Sequence, residues 1–401
     1  MKVTLEDIIK AQTTLKEIIN KTELSKSISA SKLLGCDVYF KYENTQRTGS
    51  FKIRGAYNKI SHLSPQEKAN GVVASSAGNH AQGVALSATL AGVKSTIVMP
   101  ENAPLNKITA TQSYGAEVVL KGEIYDDAYE HARFLEKEKG YTFVHPYEDP
   151  HVIAGQGTIG LEIAEQLSDL DTIVIPIGGG GLISGIATAI KAKSPKTKII
   201  GVQSVHAPGM AQLFLKQSAT PSNKKVATIA DGIAIKKPSQ VMYDSFISKL
   251  VDDVVTVNDD EIAAAIVYLL ERAKTVTEGS GAAAMAAAMS RSLPLGKKTC
   301  ILLCGGNIDL NIVAKVIEKG QIARGRLVEL SVVVDDFPGS LAKLTAAIAE
   351  QKANVLEVKH DRIKQGLYLR ETKIDFVLET TSHEHVEKIK AALLACGGRI
   401  L

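Results

Sequence analysis

Short β-branched runs alternate with alanine-rich stretches along most of the chain from Gly71 onward. This alternation is typical of parallel strands separated by helices that cover both faces of a sheet. The runs predicted as strands are residues 71–76, 95–100, 116–122, 171–177, 197–203 and 298–304. Glycine or a small polar residue, and then a predicted helix, follows each run. Open α/β sheets bind ligands in loops at the carboxyl ends of their strands, so we look for function in these loops.

The pattern changes at residues 322–326, a short basic stretch that contains one glycine. An alternating strand, a Pro-Gly turn and a helix follow from Leu327, and we place a domain boundary before them. A second strand (354–361), a third strand (371–379), a helix (383–396) and a terminal Gly-Gly-Arg-Ile-Leu complete the chain. This βαββαβ order predicts a ferredoxin-like sandwich.

The composition is that of an ordinary globular protein. With 401 residues the chain exceeds the size at which a single hydrophobic core keeps growing, so we expect two or three domains. Hydrophobic residues make up 45% and charged residues 22%, which argues against disordered and fibrous architectures. The net charge of +4 arises from scattered residues without a long basic run, so we expect no nucleic-acid partner.

The chain start and the cysteines indicate a cellular location. Residues 1–19 carry early acidic residues and an interrupted apolar pattern, which predicts an amphipathic helix rather than a signal peptide. No apolar run is long enough to span a bilayer, so we expect no membrane association. Cys36, Cys300, Cys304 and Cys396 show neither metal-ligand spacing nor the density of a secreted disulfide scaffold. We therefore expect a soluble protein of the reducing cytoplasm.

The first segment that indicates chemistry is residues 43–56, Glu-Asn-Thr-Gln-Arg-Thr-Gly-Ser-Phe-Lys-Ile-Arg-Gly-Ala. Its Lys52 follows Phe51 and enters a predicted helix after a Thr-Gly-Ser turn. The positive end of a helix disfavours an ammonium ion, so this amine loses its proton more readily and suits Schiff-base chemistry. An isolated Phe-Lys pair is more often a surface lysine on a helix, and only the longer string favours the chemical interpretation.

The second segment is a run of four glycines, Gly178, Gly179, Gly180 and Gly181, followed by Leu182. The run lies directly after a predicted strand and before an apolar helix. Glycines allow backbone amides to converge on one point, and a helix start adds partial positive charge, so a phosphate dianion is the expected occupant. A flexible turn or the nucleotide loop of another family is the alternative. A downstream ribose-binding acid and a Walker lysine are both missing, which favours a single phosphate.

The third segment joins a strand to an alanine-rich helix through Ser76, Ala77, Gly78, Asn79 and His80. Hydroxyls and amides at such a helix start can bind a carboxylate, and the Asn79 side chain can donate a hydrogen bond to a phenolate oxygen. A well-capped helix without a ligand is the alternative. The imidazole of His80 could serve as a base, but a histidine in this loop is equally consistent with a structural role.

The fourth segment, residues 302–307, is Leu-Leu-Cys-Gly-Gly-Asn at the end of an apolar strand. By itself, Cys304 is most simply interpreted as a buried structural thiol, the more common role of an intracellular cysteine.

Together the four segments resemble the fold-type II pyridoxal-phosphate enzymes, and within them the threonine ammonia-lyase group of serine/threonine dehydratases with one C-terminal ACT module. The likeness covers nearly the whole chain. It implies pyridoxal 5'-phosphate as cofactor, bound in a cleft between two open α/β domains of the tryptophan-synthase-β type. The implied domains are a large one (1–47 and 147–321), a small one inserted into it (48–146) and an ACT domain (327–401).

The resemblance also implies roles for the cofactor-binding residues. Lys52 is implied as the Schiff-base lysine and α-proton base, Phe51 as the residue packed beside the ring, and Asn79 as the partner of the ring 3-hydroxyl. The glycine run from Gly178 through Leu182 is implied to hold the phosphate. Cys304 is implied beside the pyridine nitrogen. A neutral partner there leaves the ring a weaker electron sink and favours prompt β-elimination over transamination.

The loop from Ser76 to His80 is implied to bind the substrate carboxylate. Serine racemases of this family use a serine on the opposite face of the cofactor, and Ala77 stands at the aligned position, where it cannot move a second proton. Those racemases also bind a divalent cation through two carboxylates, and residues 203–209 carry neither of them. We therefore expect no divalent metal at that position, while a monovalent ion held by carbonyls elsewhere stays open.

The C-terminal module resembles an ACT domain at residues 334–341, Val-Asp-Asp-Phe-Pro-Gly-Ser-Leu. A ferredoxin-like module that only dimerises is the alternative. ACT domains pair and bind amino acids at this turn, which implies an effector site formed by the backbone around Gly339 and by residues near Asn354 of a second copy. A single module cannot pair with itself, so the resemblance implies a homodimer or homotetramer.

The activity implied is deamination of L-threonine to 2-oxobutyrate and ammonia, and of L-serine to pyruvate, under amino-acid control. Three alternatives remain open at this point. One is an L-serine ammonia-lyase, one is a β-replacing synthase of the same fold, such as a cysteine synthase, and one is a catalytically idle amino-acid sensor.

Overall fold

Two largely parallel sheets form the framework of Met1–Asp309, the first of two compact units in the chain. The second unit is Leu310–Leu401. The computed structural model describes residues 1–217, 227–291, 293–362 and 367–401. No helix within these ranges is long and apolar enough to cross a membrane.

The strands of the first unit form one six-stranded and one four-stranded sheet. In chain order they are β1 (Leu24–Lys26), β2 (Asp37–Tyr42), β3 (Val72–Ser75), β4 (Ser95–Met99), β5 (Glu117–Leu120), β6 (Thr142–Phe143), β7 (Thr172–Pro176), β8 (Lys198–Ser204), β9 (Asp253–Val257) and β10 (Lys298–Leu303). The larger sheet has the order β1-β2-β10-β7-β8-β9, and only β1 is antiparallel to its neighbour. The smaller sheet, β5-β4-β3-β6, is parallel throughout. The six strands predicted from hydrophobic runs are confirmed as β3, β4, β5, β7, β8 and β10.

Helices connect these strands and cover the sheets. In chain order they are α1 (Leu5–Leu15), α2 (Ile28–Leu34), α3 (Lys52–Ser61), α4 (Pro65–Asn70), α5 (Asn79–Leu90), α6 (Leu105–Ser113), α7 (Tyr125–Lys139), α8 (Pro150–Gln166), α9 (Gly181–Lys193), α10 (Gly209–Phe214), α11 (Gln240–Met242), α12 (Ser248–Leu250), α13 (Asp259–Tyr268) and α14 (Gly279–Ser290). Short 3-10 turns occupy Glu43–Thr45, Arg47–Gly49 and Asp231–Ile233. The π-helical turns Tyr243–Ile247 and Leu269–Ala273 extend α11 and α13.

The strands β3 and β4 of the smaller sheet are buried on both faces, which explains their nearly continuous apolar sequence. Val72 and Ala74 of β3 pack in the same cluster as Val84 of α5. The alternate residue, Val73, packs on the other side with Ala128 of α7. Helices therefore cover both faces of this sheet, as the alternation predicted.

The predicted amphipathic N-terminal helix is confirmed as α1. Thr4 and Asp7 form a capping box at its start, in which each side chain bonds the other residue's backbone N–H. Ile8, Ala11 and Leu15 form its buried stripe.

The second unit is an antiparallel sheet with helices. Its elements are α15 (Leu310–Ala323), β11 (Leu327–Asp335), α16 (Ser340–Glu350), β12 (Asn354–Asp361), β13 (Glu371–Glu379), α17 (His383–Ala395) and β14 (Arg399–Ile400). The strand order β12-β13-β11-β14 confirms the predicted ferredoxin-like sandwich. Leu330, Leu344, Phe376 and Ile389 lie in its core. The compact unit also includes α15, which precedes the sandwich and contacts β11.

Candidate active site

A cavity of about 750 Å³ lies at the carboxyl ends of strands from both sheets of the first unit. Every site residue predicted for this part of the chain lines it: Phe51, Lys52, Ser76, Ala77, Gly78, Asn79, His80, Gly178, Gly179, Gly180, Gly181, Leu182 and Cys304. Segments from four distant parts of the sequence thus meet in one place. The roles assigned to the individual residues stay predictions.

Lys52 is the first residue of α3, as the sequence predicted. The turn before it is tight, because Thr48 and Gly49 both adopt left-handed backbone conformations (φ 65° and 68°). The Lys52 amine donates a hydrogen bond to the carbonyl oxygen of Pro146 at 3.3 Å and lies 5.1 Å from the centre of the Phe51 ring. Burial lowers the pKa of Lys52 to about 8. Among the described residues no carboxylate forms an ion pair with it, so the amine is set up for reaction rather than for a salt bridge.

The four-glycine run connects β7 to α9 and forms a cradle of bare backbone. Gly180 has a φ of 99°, a conformation that side-chain-bearing residues rarely adopt. A Cβ on Gly179 would overlap the ring of Tyr147, and one on Gly181 would lie 2.9 Å from Gln156 Oε1. Only glycine therefore lets this loop pass so close to its neighbours. The loop ends at the N-terminus of a 13-residue helix, where backbone N–H groups favour an anion.

His80 is held by the protein rather than aimed at a ligand. Its Nε2 donates a hydrogen bond to the carbonyl oxygen of Val144 at 2.8 Å. Burial lowers the pKa of His80 to about 3, so the ring is neutral at physiological pH. The structural interpretation of its side chain is therefore favoured over the role of a base. Its backbone N–H lies in the first turn of α5 and has no partner within the helix, so it suits a carboxylate.

Cys304 directly follows β10 and presents a neutral thiol to the cavity. Its Sγ lies 3.5 Å from the carbonyl oxygen of Ser280, to which it donates a hydrogen bond. Burial strongly raises the pKa of this thiol. The neighbouring Ser280 hydroxyl is buried, lines the cavity and makes no hydrogen bond within the described residues. A buried hydroxyl without a partner indicates that a polar group of a ligand completes the site.

The site contains two further residues, Glu278 and Asn307, for which the sequence predicted no role. Glu278 lies just before α14, and its Oε1 accepts a hydrogen bond from Asn79 Nδ2 at 2.6 Å. Burial and the charge of Asp231 raise the pKa of Glu278 to about 7. Asn307 Nδ2 donates to Asn79 Oδ1 at 2.8 Å. The only feature of the sequence that could have identified Glu278 is that it is a single acidic residue at the edge of an alanine- and glycine-rich stretch.

A buried cluster of charges, which we call the anchor quartet, lies beneath the start of α3. Its members are Lys41, Glu43, Arg54 and Glu162, and all are buried. All five N–H groups of Arg54 donate hydrogen bonds, four to the carboxylates of Glu43 and Glu162 and one to Thr158 Oγ1. Although burial alone would raise the pKa of the Glu43 carboxyl, the charge and hydrogen bonds of Arg54 hold it below its ordinary value. The quartet joins β2, α3 and α8.

The Lys41 ammonium completes this cluster with three hydrogen bonds. It donates to Glu162 Oε2 at 2.5 Å, to the Thr22 carbonyl oxygen at 2.9 Å and to Gln166 Oε1 at 3.2 Å. Two positive and two negative side chains therefore balance, and the donors are satisfied, which is the condition under which buried charge is tolerated. Because Arg54 follows Lys52 by two residues on α3, the quartet holds the helix turn that carries the amine.

Two ion pairs cross the mouth of the cavity. Lys107 of α6 bonds Asp231 at 2.8 Å, and Lys236 lies 3.4 Å from Asp126 of α7. Both pairs connect helices of the smaller sheet to the loop that follows the larger sheet's β8. They are partly exposed, so each contributes little energy by itself.

The helix with Asn79 and the helix with Lys52 approach each other through Gly83 of α5. A Cβ on Gly83 would lie 3.0 Å from Lys52 Cβ and 3.2 Å from the backbone nitrogen of Ile53. The two helix starts therefore touch backbone to backbone.

The predicted regulatory residues lie in the second unit. Gly339 precedes α16 with a φ of 95°, and a Cβ placed there would meet no atom within 4 Å. Asn354 is the first residue of β12, where its Nδ2 donates to Glu379 Oε2 at 3.4 Å. The turn before α16 is thus open at Gly339, while a site shared by two copies stays a prediction. No group of three or more His, Cys, Asp or Glu side chains within the described ranges is arranged to hold a metal ion.

The chain matches one enzyme family over most of its length. The family model described as "Pyridoxal-phosphate dependent enzyme" matches residues 15–305. The chain belongs to this family of pyridoxal-phosphate-dependent enzymes. An ACT domain model matches residues 328–398, so the enzyme also carries the C-terminal module that its sequence resembled.

Relatives of this pyridoxal-phosphate-dependent enzyme match it over nearly its whole length. A Thermotoga maritima protein named L-threonine ammonia-lyase is 50% identical over 98% of both chains. A Geobacter sulfurreducens protein of the same name is 47% identical over 97% of both chains. Among solved structures, the processed form of threonine deaminase isoform 2 from Solanum lycopersicum superposes with a TM-score of 0.74. It is 37% identical, and the match covers 80% of this chain and 91% of that one.

The described residues fit the family's cofactor. The cavity holds an amine without a carboxylate partner, a glycine cradle at a helix start, a neutral thiol and a hydroxyl without a partner. Lys52 suits covalent attachment of an aldehyde, and the cradle suits a phosphate dianion.

Proposed function

We propose that this enzyme is an L-threonine ammonia-lyase that converts L-threonine to 2-oxobutyrate and ammonia, and L-serine to pyruvate and ammonia. The observation that carries the proposal is the partly buried amine of Lys52, which shares one cavity with the glycine loop 178–181. Relatives that match nearly the whole chain are named for the threonine reaction, which supports the choice of substrate.

Pyridoxal phosphate, when bound, supplies a conjugated ring that accepts electrons from the α-carbon of an amino acid. Lys52 would hold it covalently, with Phe51 beside the ring. Backbone N–H groups from Gly178 to Leu182 would hold its phosphate, and the Asn79 side chain would donate to its ring 3-hydroxyl oxygen. A neutral thiol at Cys304, beside the ring nitrogen, would not hold that nitrogen protonated. This choice of partner favours elimination over transamination.

The chain's own groups then move the protons. Lys52 removes the α-proton, and because burial lowers its pKa to about 8, part of the amine is neutral near physiological pH. The loop from Ser76 to His80 orients the substrate by binding its carboxylate, chiefly through backbone N–H groups at the start of α5. The β-hydroxyl takes up one proton as it leaves as water, which balances the α-proton that was removed. One water is taken up when ammonia is released, so threonine is converted to 2-oxobutyrate and ammonia without net water.

Replacement of the amine tests this proposal. The Lys52→Ala variant should lose both turnover of L-threonine and the visible absorbance of the protein-bound cofactor. Lys10→Ala, which removes an exposed lysine of α1, is the matched control and should keep both. Full activity in Lys52→Ala would refute the assignment.

Product analysis separates the remaining candidates. A β-replacing synthase would consume sulfide, whereas the proposed enzyme should release ammonia and keto acid in equal amounts without it. A catalytically idle sensor would form no keto acid. Steady-state kinetics on L-threonine and L-serine would rank the two substrates, because one methyl group changes discrimination by only about 1–3 kcal/mol.

The ACT module leads us to propose amino-acid control and a homodimer or homotetramer. The effector would bind near Gly339 of one copy and Asn354 of another. Kinetics with added isoleucine and valine, together with sedimentation analysis, test both parts. We further propose a large domain (1–47 and 147–321) with a small inserted domain (48–146), and a cytoplasmic location.

A further inference from the structure

The side-chain amide of Asn79 is held from two sides. Its Oδ1 accepts a hydrogen bond from Asn307 Nδ2 at 2.8 Å, and its Nδ2 donates to Glu278 Oε1 at 2.6 Å. The three residues lie far apart in sequence and all line the cavity. Their hydrogen bonds orient the Asn79 amide, with its oxygen toward Asn307 and its amino group toward Glu278.

A backbone carbonyl sets the direction of this chain of hydrogen bonds. Asn307 Nδ2 also donates to the carbonyl oxygen of Thr48 at 2.6 Å, and a carbonyl oxygen can only accept. The Asn307 atom must therefore be the amino group, which in turn requires the carbonyl oxygen of Asn79 on that side. Gly49 leaves the space for this contact, because a Cβ there would overlap the Asn307 side chain.

Glu278 receives the other end of the Asn79 amide in a confined position. Its backbone N–H donates to the Gly305 carbonyl oxygen at 3.1 Å, and its Oε1 would lie only 2.3 Å from a Cβ placed on Gly305. The charged and titratable groups that act on its carboxyl are Asp231, Lys107 and Lys52, and Cys304 also interacts with it. A carboxyl oxygen held in this way accepts a hydrogen bond whether the group is ionised or protonated.

We propose that Glu278 is a positioning residue that acts through Asn79, fixing the amide so that its second N–H is offered to the ring 3-hydroxyl oxygen of pyridoxal phosphate. The inference rests on the proposed function. Glu278 takes one N–H of Asn79, and the other makes no hydrogen bond within the described residues. Without Glu278 only the hydrogen bond from Asn307 restrains the amide, so the amide can turn more readily and present its oxygen, which would repel an ionised ring oxygen instead of stabilising it. Glu278 thereby selects the form of the cofactor with an ionised ring oxygen.

Two substitutions at Glu278 test the proposal in the full-length, cofactor-loaded protein. Glu278→Ala removes the acceptor and should weaken the affinity for pyridoxal phosphate about tenfold, the effect of losing one hydrogen bond to a charged group. It should also increase the fraction of bound cofactor whose visible absorbance is that of a protonated ring oxygen. Glu278→Gln keeps an acceptor oxygen in the same place and should restore both quantities to near the wild-type values.

A second site and a surface control complete the experiment. Asn307→Ala removes the other restraint on Asn79 and should change the absorbance in the same direction as Glu278→Ala. Glu165→Gln, which neutralises an exposed carboxylate paired with Lys21, should leave affinity and absorbance unchanged. A Glu278→Ala protein with wild-type affinity and absorbance would overturn the proposal, as would a Glu278→Gln protein as impaired as Glu278→Ala.

The experiment also separates this inference from the proposed function. If the wild-type protein fails to acquire the cofactor's absorbance or to deaminate threonine, the proposed function fails. If the wild-type protein does both and Glu278→Ala is indistinguishable from it, only the positioning role fails.

Discussion

Arg54 and Glu43 form a two-point ion pair in the core, with Arg54 Nε 2.8 Å from Glu43 Oε2 and Nη2 2.7 Å from Oε1. Glu43 precedes the turn that leads to Lys52, and Arg54 follows it on α3. The pair therefore closes the segment that presents the reactive amine, and the rest of the anchor quartet attaches this segment to α8.

Breaking the quartet should destabilise the protein strongly. Arg54→Met leaves Glu43 and Glu162 buried with only Lys41 to balance them. We expect the free energy of unfolding, measured by urea denaturation at pH 7, to fall by about 3–5 kcal/mol. Lys21→Met, which breaks the exposed pair with Glu165, should lower it by less than about 1 kcal/mol. Equal small effects in the two variants would contradict the anchoring role.

A methyl group on the glycine cradle should weaken cofactor binding. In Gly179→Ala the new Cβ would overlap the Tyr147 ring, so the loop must shift. Overpacking of about 1–3 kcal/mol corresponds to roughly 5- to 150-fold weaker affinity for pyridoxal phosphate, measurable by absorbance titration. In a Tyr147→Ala background the same substitution should weaken the affinity for pyridoxal phosphate less, because the obstructing ring is gone. An equal loss in both backgrounds would rule out the steric explanation.

The neutral, buried His80 should make the fold sensitive to acid. Its pKa is about 3 in the folded protein, below the ordinary value of 6.5, so the unfolded chain binds a proton more readily between these values. Its contribution to stability is thus present above pH 6.5 and is lost as the pH falls toward 3. Between pH 7.5 and pH 5, wild-type protein should lose about 2 kcal/mol more unfolding free energy than His80→Asn. The exposed His206 offers the control His206→Asn, and an unchanged acid response in His80→Asn would contradict the assignment.

The four thiols should react with a thiol reagent at very different rates. Cys300 and Cys304 are buried, and burial raises the pKa of the Cys300 thiol to about 12 and that of Cys304 further. Because the thiolate is the reactive form, both should stay unlabelled in native protein at pH 8 and react after unfolding in urea. Cys396 is exposed and should react first. Rapid labelling of Cys304 in native protein, located by peptide mass spectrometry, would contradict its description as a buried neutral thiol.

Much of the fold could be predicted because parallel strands that are covered on both faces have nearly continuous apolar sequences. The strand β2 was missed because its sequence contains Lys41, a charged residue that is nevertheless buried. Its burial depends on Glu162, which lies 121 residues away, and no local pattern contains that partner. The two-residue strand β6 was missed because it is too short to show a period.

The site residues likewise divide into those that a local sequence pattern identifies and those that depend on partners distant in sequence. The glycine run and the Lys52 segment are contiguous, so their chemistry could be identified from local sequence. Glu278 becomes part of the site only through Asn79, 199 residues away, and Asn307 through the same residue at a distance of 228. The segment that contains His80 could be identified from the sequence. The structural role of its side chain could not, because that role depends on a hydrogen bond to Val144, which is distant in sequence.

The backbone contact at Gly83 has a practical consequence for protein engineering. The separation of the Lys52 amine from the Asn79 amide is determined by two helices in direct contact, and not by the loops at the entrance. Those loops can therefore be shortened, exchanged or enlarged to admit bulkier amino acids while the reacting centre keeps its dimensions. A library of variants that seeks new substrates should accordingly diversify the entrance and leave α3 and α5 untouched.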